Sequence, residues 1–232
     1  YGCHCCSAGR ATPGQRSPHT RLEEDPELAA SRRPERWIWD LRQEPPELLV
    51  GQGCDATLPC QRVLAVGTDM AVGKMSVCLE LLAAAEHCSH PARFIGTGQA
   101  GILISGDGVA VDAVRVDYAA GAVEAAVMRA GEGLPDQGLI LVEGQGSLCH
   151  PGSTATLPLL RGSQPTELLL VHRAGQTSID RVAGFPLPPL EEVVMITETI
   201  AAMARPASAG PAPRVRAIAL NTALLDDRDA QK

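Results

Sequence analysis

The richest chemistry in the sequence lies in Gly67-Thr68-Asp69-Met70-Ala71-Val72-Gly73-Lys74-Met75-Ser76. This stretch joins a short apolar run, Val63-Leu64-Ala65-Val66, to a helical period that opens at Met75. Strand, glycine-containing loop, Gly-Lys and helix is the order in which a phosphate loop is built. Glycine lets successive backbone N–H groups face one anion, and the helix start adds its positive dipole end. Lys74 supplies a mobile cation for the outer phosphates. The candidate cofactor-binding residues are therefore Gly67, Thr68, Asp69, Val72, Gly73, Lys74, Met75 and Ser76, with Lys74 also a candidate catalytic group. Two departures from the usual pattern matter. Five residues separate Gly67 from Gly73 where the usual spacing is four, and Met75 stands where Ser or Thr would hold magnesium. Ser76 follows, turned by about 100° on a helix. An anion such as a pyrophosphate needs no such hydroxyl.

The remaining candidates follow apolar runs. Glu143 ends Leu139-Ile140-Leu141-Val142 directly, flanked by Gly144 and Gly146, and is read as a catalytic carboxylate that orients metal or water; the plain alternative is a carboxylate at a strand end. His150 precedes Pro151 and suits removal of a proton from an ammonium, or else caps a turn. His172 is a second such candidate, or is simply satisfied by its surroundings. Thr97, Gln99 and Ser105 beside Gly98 and Gly101 offer a neutral cradle for a carboxylate or a phosphate, or are plain turn residues, and Gln145 joins Thr97, Gly98 and Gln99 as a candidate substrate contact. Asp107 and Asp112 are candidates to bind a metal or the substrate amine, with a cap on the next helix as the favoured alternative for Asp112. Asn221 is assigned to the cofactor by position alone, and Arg161 and Arg173 are possible carboxylate forks.

These residues need a scaffold. Further apolar runs lie at Phe94-Ile95, Leu168 to Val171 and Val215 to Leu220. Between them, Met75 to Glu86, Ala110 to Arg129 and Glu191 to Ala204 carry apolar residues at helical spacing. Strands apolar on both faces, alternating with helices, predict an α/β fold of the P-loop NTPase-like kind: a mostly parallel sheet covered by helices on both faces. Ligands bind such sheets at the carboxyl ends of strands, where the polar clusters fall.

The phosphate loop resembles that of dethiobiotin synthetase. A wider resemblance runs through Val66 to Met75, Thr97-Gly98-Gln99-Ala100-Gly101-Ile102-Leu103-Ile104, Gly108 to Val114, Val142 to Leu148, His150-Pro151, Pro188 to Glu192 and Leu220-Asn221-Thr222. On these motifs the chain, from about residue 37 onward, resembles the D-glutamate N-acetyltransferase-like family, long catalogued as a domain of unknown function. The resemblance implies acetyl transfer from acetyl-CoA to the amine of a small acidic amino acid. It also implies a Rossmann-like domain before the phosphate-loop domain, of which Trp39-Asp40-Leu41-Arg42 is a remnant, and a helix and strand after residue 232. Gly152-Ser153-Thr154-Ala155-Thr156 departs from the family's usual Ser-Gly-Val-Thr. The alternatives are an ATP-dependent carboxylate-activating ligase, with magnesium on Ser76, Asp69 and Glu143, and a nucleotide-binding subunit without chemistry.

Composition narrows the setting. The 232 residues are 45% hydrophobic, 20% charged and 3% aromatic, so the core is aliphatic. A formal charge of −7 disfavours nucleic acid as partner. No apolar run reaches the roughly 18 residues of a membrane helix. Lys74 and Lys232 are the only lysines. Residues 1–36 have no hydrophobic period and are expected to be a disordered or aberrant tail; 37–61 are linker and remnant, and 62–232 the phosphate-loop domain. Cys3, Cys5 and Cys6 flank His4, with Cys54 and Cys60 as the remaining partners for a zinc ion, but C-x-C-C is not zinc-knuckle spacing, and no metal is assigned. Reduced cysteines make the cytoplasm the default compartment, and a homo-oligomer is expected.

Overall fold

The computed structural model describes residues 25–30 and 39–230. The tail Cys-His-Cys-Cys cluster, Trp37 and Lys232 lie outside them. Five strands carry the domain: β1 (Gln61–Gly67), β2 (Ala92–Ile95), β3 (Leu139–Val142), β4 (Glu167–Arg173) and β5 (Arg214–Asn221). They form one sheet in the order β2-β3-β1-β4-β5, and every pairing is parallel. Seven α-helices are described: α1 (Pro26–Ala30), α2 (Lys74–His87), α3 (Gln99–Ser105), α4 (Ala119–Gly131), α5 (Thr156–Gly162), α6 (Leu190–Met203) and α7 (Asp227–Ala230).

Both faces of the sheet are covered because its strands alternate two apolar sets. Leu64, Val66, Ile140, Val142, Leu168 and Leu170 point to one face, where they meet Val123 and Val127 of α4, Leu159 and Leu160 of α5 and Val193 of α6. Ala65, Leu141, Phe94 and Val171 point to the other, against Val77, Cys78 and Leu82 of α2. At about 25 cal/mol per Å² of apolar surface removed from water, these two aliphatic layers supply the main drive to fold. Every strand enters from the same side, so the ends of β1, β3 and β4 and the start of α2 gather at one edge.

The helix expected from Ala110 starts at Ala119, one residue after its cap at Tyr118. Residues 111–113 and 116–118 form 3-10 turns instead. The Val109 and Val111 N–H groups donate to Gly96 O (2.9 Å) and Thr97 O (3.2 Å), so pairing beyond the end of β2 takes the donors a helix would need. Asp112 consequently caps no helix; its carboxylate lies 3.0 Å from Arg42. The short helices α3 and α5 were not anticipated. Their apolar residues are too few to show a period. Ahead of β1, Leu48 and Leu58 pack on the core, and the Gln52, Gly53 and Cys54 N–H groups donate to the Glu124 carboxylate at 2.6–2.9 Å.

Candidate phosphate site at the carboxyl edge of the sheet

The phosphate loop turns from β1 into α2 with Gly73 at φ +113°. The N–H of Val77 is the first of α2 to be bonded, to Gly73 O. The donors of Gly73, Lys74, Met75 and Ser76 have no acceptor among the described residues, as the first turn of a helix requires. Lys74 lies back along the loop, 6% exposed, with Nζ donating to Asp69 O at 2.9 Å. Two glycines make room for it. A Cβ on Gly67 would lie 2.9 Å from Lys74 Nζ, and one on Gly144 would lie 2.9 Å from Lys74 Cδ and 1.7 Å from Ala65 O. Burial brings the ammonium down to about 8, against the pull of Asp69 and Glu143.

The loop is held from outside by side chains on β4, β5 and the segments that follow β3 and β4. Thr68 Oγ1 lies 3.0 Å from His172 Nδ1, and Ser147 Oγ donates to Thr68 O at 2.9 Å. Arg173 donates to Ala71 O at 2.7 Å, which holds Ala71 at φ +52°, a conformation uncommon outside glycine. Asn221 Nδ2 donates to Val72 O at 2.9 Å. Asn221 thus positions the loop through its carbonyl, and His172, kept below the ordinary imidazole range by burial, positions it through Thr68. Met75 packs into the apolar layer beside Val72 and Cys78, and Ser76 is exposed.

Glu143, 5% exposed, accepts N–H bonds on Oε2 from Thr97 (2.8 Å) and Gly98 (3.1 Å), and on Oε1 from Gln145 Nε2 (3.2 Å). Burial still raises its proton affinity, against those donors and the Lys74 charge. Thr97, Gln145 and Asp112 line one cleft of about 390 Å³ with Met70, Gly152, Ser153 and Thr154. Gln99 sits half-buried at the start of α3, and its side chain meets none of these groups. His150 reaches the cleft through Gly152, whose N–H donates to Nδ1 at 3.0 Å. An N–H can only donate, so Nδ1 carries the lone pair and neutral His150 bears its proton on Nε2. The residues the sequence reading missed are Gln176 and Asp180, whose N–H groups reach the Asp69 carboxylate. Nothing in their loop marks them.

Residues 49–232 match the family model described as "Domain of unknown function (DUF1611_C) P-loop domain". The chain belongs to the DUF1611 family. A crystal structure of a DUF1611 family protein from Anabaena variabilis superposes with a TM-score of 0.83 at 53% identity, over 92% of this chain and 60% of that one. Two curated relatives carry the name D-glutamate N-acetyltransferase. The one from Tritonibacter scottomollicae is 37% identical over 177 residues, 75% of this chain and 51% of its own length. The one from a Pseudoalteromonas species is 39% identical over 147 residues, 63% of this chain and 43% of its own. The chain thus spans about half the length of the curated relatives it matches. No described helix is long and apolar enough to cross a membrane.

Proposed function

We propose that this DUF1611 chain is the phosphate-binding part of an N-acetyltransferase that moves an acetyl group from acetyl-CoA to the amine of an acidic amino acid. The observation that carries the reading is the name shared by the two relatives, at 37% identity over 177 residues and 39% over 147. The unpaired N–H groups of residues 73–76 and the Lys74 ammonium fit the pyrophosphate of CoA. Bound there, acetyl-CoA supplies a thioester carbonyl and a thiol leaving group. In the reaction the amine nitrogen bonds to the acetyl carbon, the C–S bond breaks, and the amine loses a proton as the thiolate gains one.

The chain's own groups divide that work. Glu143 takes the amine's proton on Oε1, where the weak bond from Gln145 gives way to a substrate ammonium; burial shifts its proton affinity upward, the direction a base for an ammonium requires. His150, expected from sequence as the base, serves instead as an Nε2–H donor to the carbonyl oxygen, because Gly152 occupies its lone pair. Asp112 brings a carboxylate to the cleft, suited to a substrate ammonium, and pairs with Arg42 at 3.0 Å.

The ligase reading would place magnesium on Asp69, Glu143 and Ser76. Both Asp69 oxygens and both Glu143 oxygens already accept N–H bonds, and Ser76 is exposed. The deciding experiment incubates the protein with acetyl-CoA and D-glutamate in EDTA, with mass spectrometry of the acceptor and thiol release in parallel. Acetylated product in EDTA supports the transferase. Turnover only with magnesium and ATP hands the site to a carboxylate-activating ligase. CoA binding without turnover points to a binding subunit. All the cysteines described are free, which accords with a cytoplasmic setting.

A further inference from the structure

Asp69 touches both the lysine of the phosphate loop and a separate segment packed beside it. Its backbone oxygen accepts from Lys74 Nζ at 2.9 Å. Its carboxylate, in a residue 1% exposed, accepts from Met70 N (2.7 Å), Gln176 Nε2 (2.6 Å) and Asp180 N (2.7 Å). The last two donors belong to a narrow excursion between β4 and α6. Ile179 N donates to Phe185 O and Leu187 N to Thr177 O, both at 2.9 Å, and Ser178 bridges Pro186. The excursion has a buried anchor in Ile179, 3% exposed. Its tip carries Arg181, with a side chain 92% exposed and φ +60°.

We propose that Asp69 is a positioning residue that latches this excursion to the phosphate loop, so that anion binding at Lys74 and closure of the excursion are linked. The linkage has a physical route. In the free protein the ammonium sits on the Asp69 carbonyl, and the buried Asp69 carboxylate attracts its charge. An anion draws the ammonium away. The carboxylate then depends more on its N–H donors, two of which hold the excursion, so the excursion is held more tightly. By reciprocity the latched excursion strengthens anion binding by the same factor. Asp69 acts here through Lys74 and the excursion and is not itself a ligand.

The inference rests on phosphate binding at Lys74 but not on acetyl transfer. Trypsin cleavage after Arg181, mapped by mass spectrometry, reads the closure. The probes are inorganic pyrophosphate and CoA, with affinities from titration calorimetry. In the unaltered protein, saturating pyrophosphate is expected to slow cleavage at least threefold. In Asp69→Asn an amide N–H faces donors in place of one oxygen. Ligand-free cleavage should rise about tenfold, protection by pyrophosphate should vanish, and pyrophosphate affinity should fall. Gln176→Ala, which leaves the phosphate loop itself unaltered, should show the same pattern in weaker form and serves if Asp69→Asn fails to fold. Cleavage of the unaltered protein that ignores saturating pyrophosphate overturns the latch, as does full protection in either variant or a failure of pyrophosphate to bind. Protection without acetyl transfer leaves the latch standing and removes only the transferase.

Discussion

The two edges of the sheet treat buried charge in opposite ways. At the carboxyl edge Asp69, Lys74 and Glu143 are nearly inaccessible, yet each is met by hydrogen-bonding groups. At the amino edge Asp55 is fully buried in the turn before β1, and among the described residues neither of its carboxylate oxygens has a hydrogen-bond partner. Burial pushes it up to about 7, with the Arg62 charge pulling the other way. Arg62, also buried, spends its donors on the carbonyls of Gln164, Leu58 and Cys60. Gln164 Oε1 beside it is likewise unpartnered. Buried charge at the first edge is met by hydrogen bonds; at the second Asp55 eases its burial by taking up a proton.

Gly144→Ala should sharpen the contrast most. A Cβ there meets Ala65 O at 1.7 Å, so β1 and the loop after β3 must part. We expect a loss on the order of 3 kcal/mol, seen in urea melts, or no folded protein. Next comes Lys74→Ala, which removes the loop's cation together with its bond to the Asp69 carbonyl. CoA or pyrophosphate affinity should fall at least about 100-fold by calorimetry, with little change in Tm. An unchanged affinity would make the loop an ordinary turn and dissolve the distinction between the edges.

Asp55→Asn tests the other edge. The folded-state value, about 7, lies above that of an unfolded aspartate. The native protein therefore loses stability as pH rises from about 4 to 7, and the loss is complete above that. The variant should be more stable by about 1–3 kcal/mol at pH 8, and the gap should close toward pH 4. A variant that is less stable at pH 8 would mean that the Asp55 charge is needed opposite Arg62. The smallest effect is the pH dependence of anion affinity. Lys74 is charged below about 8 in the free protein, and a bound anion favours the charged form. Affinity should be flat below pH 8 and fall up to tenfold per unit above it, by titration in matched buffers.

Much of this was legible from residue types alone, because the signals were local. Runs such as Leu139 to Val142, apolar at every position, can be buried only in a sheet covered on both faces, and the strands read there are the strands observed. Gly73-Lys74 at a strand-to-helix junction already specified a loop with free N–H groups. Spacing could not show that Val109 and Val111 would pair with the end of β2, which delayed α4 to Ala119. Nor could it separate Asp69, His172 and Asn221 by role, since all three are polar residues following apolar runs.

The order of apolar and glycine-bearing segments by itself determined a parallel sheet and placed Lys74 at its carboxyl edge, since backbone pairing and aliphatic burial depend on pattern within a few residues. Tertiary structure alone decided what each polar group does there. Asp69 meets Gln176 across 107 residues, and Asn221 reaches the Val72 carbonyl across 149. Hydrogen bonds and desolvation act over a few ångströms of space, and only the folded chain sets which groups share them.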